Sequence, residues 1–393
     1  MKRIYTAVFR HWHEPYAWFG RDSGLVTEGL RRIGVDSRLV ILQTPKMPDD
    51  ERFLAASRDQ FLDSGFWKSL ALDGVVLQGG ADVGIDPVSA AIKESGTKLL
   101  LRLDTDGVVA PQVDPYLYCY NLWWWLAFHH RHPAWMLALG KAGLKTLFPN
   151  KLGPGRVIRR LLLGDFLLAE SRIAAARLKR LLRIHGAAGA AERVVYLPIP
   201  VAPEWNYPKS TPKENILIAV ARWNDAQKDA PKLMATLGSV LKHNGEYRAV
   251  VIGNGEGLLK SLVSNHAKGC EDRIELTGRL DHTEIPKYEQ RAKIFICSSR
   301  SESMNISSAE ALCCGCSVVG PAEIASMHEY VAASSGTLAW TRRTEDFSDA
   351  VEAEILAWRQ GQRDPVAISA HYCGLLSPEA IAQKILLCCQ SPS

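Results

Sequence analysis

The stretch Ser298–Gly320, "SSRSESMNISSAEALCCGCSVVG", places two glutamates, Glu302 and Glu310, with seven residues between them. The first stands in a polar turn and the second in an apolar helical pattern that stops at a glycine. Just upstream, "AKIFICSS" carries the apolar run of a strand, Ile294 to Cys297. The spacing then predicts a helix from near Asn305, with Ile306, Ala309, Leu312 and Cys313 on one face. Gly315 suits a left-handed cap, and "SVVG" returns as a strand. Strand, polar turn, helix and strand form the repeating unit of a parallel α/β sheet, which binds ligands outside the carboxyl ends of its strands. At such an end the amides of Met304, Asn305 and Ile306 would be free to hold a phosphate. Glu302 and Glu310 could accept hydrogen bonds from sugar hydroxyls. A competing reading makes Ser307-x-x-Glu310 a capping box, in which Glu310 closes a helix start and touches no ligand.

The rest of the chain repeats that rhythm. Lys2 to Phe9 is predicted as a strand, Gly24 to Ile33 as a helix and Ser37 to Leu42 as a strand. "DGVVLQGG", a helix over Pro87 to Lys93 and "TKLLLRLD" continue the pattern. "GDFLLAES" and "ERVVYLPIP" flank a basic helix, Arg172 to Arg183. Pro198 to Lys213 then holds five prolines without periodicity and reads as a linker. Beyond it come the strand "NILIAVAR", a helix over Ala230 to Leu241, and the strands "YRAVVIGNG" and "RIELTGRL". The last segment, Ser377 to Cys389, has the spacing of an amphipathic closing helix through Ile381, Ile385, Leu386 and Cys389. The expected fold is α/β, with two Rossmann-like domains facing across a cleft and the closing helix packed back on the first. We expect domains at 1–200 with 377–393, a linker at 201–213 and a second, ligand-binding domain at 214–376.

Composition narrows the function classes. The 393 residues are 47% hydrophobic and 23% charged, an ordinary globular balance. A net charge of +5 is too small to argue for nucleic acid. Nine cysteines form neither a zinc spacing nor a small-domain disulfide framework, and the cluster at Cys313, Cys314 and Cys316 reads as packing. "MKRIYTAVFR" enters a strand without an apolar signal region, so a cytoplasmic location is expected.

Upstream of the two glutamates, "ARWNDAQK" puts Arg222 and Lys228 just after a strand end, where cations can neutralise phosphate. Taken together, Glu302-x7-Glu310, Gly315, "SVVG", Arg222 and Lys228 resemble the retaining GT-B glycosyltransferases of family 4. The resemblance covers roughly Asn215 to Gly320; before the linker it extends only to strand order. It implies that Glu310 contacts the ribose of a nucleotide sugar, that Glu302 approaches the donor sugar, and that Arg222 and Lys228 neutralise the diphosphate. It also implies a UDP- or GDP-sugar donor with no required cofactor or metal. Gly253 in "GNGEG" and Gly20 in the loop after the first strand are further candidates for donor binding, although a glycine cluster after a strand also suits a plain turn.

The first half departs from that family, whose members usually carry a histidine at the end of the strand here read as "LLLRLDTDG". Asp104 and Asp106 stand there instead, and His11 or His13 could fill the space from another loop. Asp104-Thr105-Asp106 also looks like the metal site of the other large glycosyltransferase fold. A second feature is "YLYCYNLWWWLAFHHRHPAWMLALG", Tyr116 to Gly140, which is too interrupted by His and Arg to span a bilayer. With the basic residues from Lys141 to Arg183 it suits either a peripheral contact with anionic membrane or a buried lid over the acceptor.

These readings lead to a retaining glycosyltransferase acting on a hydroxyl acceptor, with a glycan or lipid-linked acceptor and the inner membrane face as candidates. The alternatives are a non-catalytic nucleotide-sugar-binding protein, a metal-dependent glycosyltransferase using Asp104 and Asp106, and a sugar-nucleotide epimerase.

Overall fold

Short runs that are apolar on both faces, such as Gly74–Gln78 and Ala292–Ile296, can be satisfied only inside a sheet covered on both sides. The chain builds two such sheets. The computed structural model describes residues 2–9, 19–20, 22–43, 50–79, 85–103, 126, 135–147 and 154–391. They divide into two units, Met1–Pro200 with Pro378–Ser393, and Val201–Ser377.

Among the described residues, the first unit carries seven strands: β1 (Ile4–Val8), β2 (Leu39–Leu42), β3 (Phe53–Ala56), β4 (Gly74–Gln78), β5 (Lys98–Leu103), β6 (Phe166–Ala169) and β7 (Val194–Tyr196). They pair in parallel in the order β3-β2-β1-β4-β5-β6-β7. The second unit carries β8 (Glu214–Val220), β9 (Arg248–Ile252), β10 (Ile274–Gly278), β11 (Ala292–Ile296), β12 (Ser317–Pro321) and β13 (Gly336–Ala339). These are also parallel, in the order β10-β9-β8-β11-β12-β13. In each sheet the winding direction reverses once, between β1 and β4 and between β8 and β11. Such a reversal opens a crevice at the carboxyl ends of the two strands, because the connections on either side leave in opposite directions.

The edge strands β3 and β13 and the helix Thr344–Arg359 were not anticipated from the sequence. Both strands are four residues long, with half-exposed residues at their centres, so they lack the continuous apolar run that marks an inner strand. The proline-rich residues 201–213 form no helix or strand and pack onto the second unit. There Trp205 is buried, and the Tyr207 amide donates to Ser369 Oγ at 3.2 Å. Among the described residues, no helix is long and apolar enough to cross a membrane.

The closing helix, Pro378–Gln390, lies in the first unit against the first helix, Asp22–Arg32, as expected. Ile381 and Ile385 are buried with Val26 and Leu30 in one apolar cluster. Arg32 pairs with Glu379 at 2.9 Å, and Lys98 Nζ donates to the carbonyls of Cys389 and Ser391, groups that a helix end leaves unsatisfied. The approach is close because residue 29 is glycine. A Cβ there would lie 2.1 Å from the Pro378 carbonyl oxygen, which is backbone and cannot rotate away. Gly29→Ala should therefore cost about 1–3 kcal/mol, the usual range for overpacking. Urea denaturation should show the loss, and limited proteolysis should show the closing helix released first.

Candidate active site

The crevice at the β8/β11 reversal is built by two turns that hold each other. After β8, Asp225 caps a short 3-10 turn, Ala226–Lys228, by accepting the Gln227 amide at 3.0 Å. Asp229 follows with φ +52°, a left-handed conformation that Asp tolerates better than most residues. Its carboxylate is buried and paired with Arg300 Nε at 3.0 Å, which ties this turn to the one after β11. Ser298 Oγ donates to the Lys228 carbonyl at 2.7 Å, and the Arg300 amide donates to the Gln227 carbonyl at 2.7 Å. The clasp places Lys228 Nζ 2.6 Å from Glu302 Oε1, with the side chains only 17% and 10% exposed. Both border a cavity of about 20 Å³ that Trp223, Cys297, Asn305 and Ser307 also line.

The helix behind this cavity, Ile306–Cys313, starts at Asn305, which has φ +53° and whose side-chain oxygen accepts the Ser308 amide at 3.0 Å. Asn305 Nδ2 donates to Cys297 Sγ at 2.8 Å. The cap is therefore Asn305, and Ser307 already lies in the helix; the capping-box reading of Glu310 does not hold. Met304 is buried and anchors the turn, and Ile306 is half-buried in the first helical turn. Gly315, at φ +76°, ends the helix as the sequence suggested.

Glu310 faces the helix Ile285–Arg291 and the loop before it. Its side chain is 12% exposed, and His282 Nε2 lies 3.8 Å from its Oε1. The His282 ring rests on buried Trp205 at a centroid distance of 4.3 Å. Beneath them Glu289 is wholly buried, and burial together with the nearby charge of Glu310 pushes its carboxyl well above the usual carboxylate range. Lys213 Nζ donates to the carbonyls of Glu289, Ala292 and Cys314 at 3.0, 2.7 and 2.7 Å. Three acceptors match the three donors of an ammonium, although burial acts to lower its pKa. Burial likewise pushes the Cys297 and Cys316 thiols up to about 12, so they stay neutral and pack.

Sequence reading missed Lys213, Trp205, His282 and Glu289. Lys213 and Trp205 fell in the expected linker, and Glu289 lies in a short helix, Ile285–Arg291, that was not anticipated. His282 follows the carboxyl end of β10, a position that could have marked it.

The other expected site residues are dispersed. Arg222 follows β8, but its side chain is 76% exposed, stands 3.5 Å from Asp225 and does not line the cavity. Gly253 has φ +130°, and a Cβ there would lie 1.8 Å from the Ala221 carbonyl oxygen. Its amide already donates to the Gly278 carbonyl at 2.8 Å, so close packing of strand ends accounts for this glycine and its N–H is not free for phosphate. Gly20 is half-buried in a turn of the first unit, ahead of the first helix. His11, His13, Asp104, Asp106 and the aromatic run Trp123 to Trp125 lie outside the described residues.

Glu289 makes the stability of the second unit pH-dependent. The native carboxyl keeps a proton that the unfolded chain releases near the ordinary value of 4.5, so stability falls as pH rises from there towards the raised native value. Glu289→Gln removes that loss. Urea denaturation at pH 5 and pH 8 should show the variant gaining on the wild type at the higher pH.

Residues 204–359, which include both turns and the Glu310 helix, match the family model described as Glycosyl transferases group 1. No curated protein gives a significant match to the chain. Among solved structures, the chain is similar to Anabaena HepE in complex with UDP, at 12% identity and a TM-score of 0.66, over 100% of both chains. It is also similar to the lipopolysaccharide outer core galactosyltransferase WaaB in its apo form, at 12% identity and a TM-score of 0.64, over 99% of each chain. A third similar structure is the sucrose-phosphate synthase of Thermosynechococcus elongatus, at 14% identity and a TM-score of 0.61, over 98% of each chain. With a glycosyl transferases group 1 domain in its second unit and the two parallel α/β units of these neighbours, the chain is a glycosyltransferase of the GT-B fold.

Proposed function

We propose that the chain transfers a sugar, with retention of configuration, from a UDP- or GDP-sugar to a hydroxyl acceptor, as the resemblance to family 4 implies. The observation that carries this reading is the Lys228–Glu302 pair beside the Asn305 helix start, at the β8/β11 reversal. An ammonium, a helix N-terminus and a carboxylate at one strand-end crevice suit a diphosphate joined to a sugar. HepE has been solved with UDP, with UDP and glucose and with UDP-glucose, which favours a nucleotide-sugar donor here.

In this reading the diphosphate sits at the start of the Ile306–Cys313 helix and takes the Lys228 ammonium. Arg222, now exposed, turns in from its strand-end turn to the same phosphates. As the bond from sugar to diphosphate breaks, negative charge grows on the leaving phosphate, and Lys228, Arg222 and the helix-start amides of Met304, Asn305 and Ile306 stabilise it. The leaving phosphate takes the acceptor's proton, so no strong general base is needed. Glu302 holds the sugar hydroxyls and Glu310 the ribose, with His282 beside it. His13 and Asp104 are retained as proposed acceptor-side groups of the first unit, and Gly20 as a donor contact.

The proposed acceptor is a glycan or a lipid-linked sugar met at an anionic membrane surface. Two helices of the first unit support that: Trp135–Leu147 exposes Met136, Leu137 and Leu144, and Arg172–Ile184 exposes Arg177, Arg180 and Arg183. Apolar side chains together with cations suit headgroup contact.

Thermal unfolding with UDP or GDP tests the donor site. One nucleotide at a hundred times its Kd should stabilise the wild type by about 2.7 kcal/mol, with or without a metal chelator, and Glu310→Ala should lose most of that gain. In a transfer assay, Arg222→Ala and Lys228→Ala should each lower kcat by roughly 10²- to 10³-fold. Unchanged turnover in both variants would remove the assignment.

A further inference from the structure

The ammonium proposed for the donor's diphosphate already has a partner of opposite charge. Lys228 Nζ and Glu302 Oε1 are 2.6 Å apart, a charge-assisted contact between two largely buried side chains. The cavity they border is narrow, about 20 Å³, and both side chains line it. The backbone on either side is held by the Asp229–Arg300 pair and by the Ser298 and Arg300 bonds to residues 227 and 228. Making room is therefore a matter of the two side chains parting.

When Lys228 moves to a phosphate, Glu302 is left as a carboxylate 10% exposed to water, and a buried charge stripped of its partner is strongly destabilised. Arg300, the nearest cation in its own turn, is committed to Asp229. Hydroxyl donors of a sugar can satisfy Glu302, whereas a nucleoside diphosphate with its ribose at Glu310, as proposed above, offers Glu302 no donor.

From this we infer that the Lys228–Glu302 pair makes the donor site discriminate between a nucleotide sugar and the nucleoside diphosphate left after transfer. The intact donor replaces both halves of the pair, phosphate at Lys228 and hydroxyls at Glu302. The product replaces only one. Once the sugar has left, Glu302 draws Lys228 back from the phosphate, and the nucleotide is released. This inference rests on the donor-site reading proposed above.

The test is calorimetric titration of the wild type, Glu302→Gln, Glu302→Ala and Lys228→Met with UDP and with GDP. Glu302→Gln keeps the shape and removes the charge that competes for Lys228. It should bind whichever nucleotide the wild type binds at least tenfold more tightly, with Glu302→Ala shifting the same way and Lys228→Met losing the binding. A cooperative unfolding transition in each variant shows that it is folded, and the alanine variant keeps the comparison available if glutamine at 302 prevents folding. Equal or weaker binding by the Glu302 variants, with Lys228→Met still impaired, overturns the discrimination role and leaves the donor site standing. No binding of either nucleotide by the wild type and by both Glu302 variants overturns both.

Discussion

One buried ammonium sets the geometry of the second unit. Lys213 stands at the start of β8 and donates to the backbone carbonyls of Glu289, Ala292 and Cys314. The first belongs to the helix Ile285–Arg291, the second opens β11, and the third caps the Glu310 helix. Helix ends leave carbonyls without partners, and a cation is the group best suited to them. A single side chain thus ties the first strand of the sheet to both helices that shape the candidate site. Had these carbonyls faced one another without it, each would carry the cost of an unmade hydrogen bond.

Around that anchor the unit keeps its carboxylates apart in character. Glu302 is neutralised by a lysine at hydrogen-bond distance, Glu310 has a histidine alongside, and Glu289, wholly buried near Glu310, is pushed towards its protonated form. A parallel sheet brings the ends of distant strands to one place, so several ionisable groups meet where the chain reverses its winding. Their different environments set a paired carboxylate, its ammonium and a neutral carboxyl within one crevice.

Much of this was legible beforehand. The alternation of apolar runs with helical spacing foretold two parallel α/β units, and the closing helix was read from the spacing of Ile381, Ile385, Leu386 and Cys389. Lys228 was read after a strand end, Glu302 in a polar turn and Asn305 at a helix start, because such places have local signatures. Lys213 and Trp205 were not, since proline-rich chain without periodicity looks like a linker whether or not it is packed. Gly253 stood open between a donor contact and a plain turn, and its requirement comes from the Ala221 carbonyl, just beyond the end of β8.

The sequence by itself determined the alternation of strand and helix, the strand-end position of Lys228 and Glu302, and the asparagine that can adopt a left-handed cap, because these depend on neighbours within a few residues. Only the tertiary structure decided that Lys228 and Glu302, 74 residues apart, meet as an ion pair, that Arg222 points outwards, and that Glu289 is kept from water. Those outcomes depend on which strands lie side by side and on how much solvent their packing leaves, and no local pattern of residues encodes either.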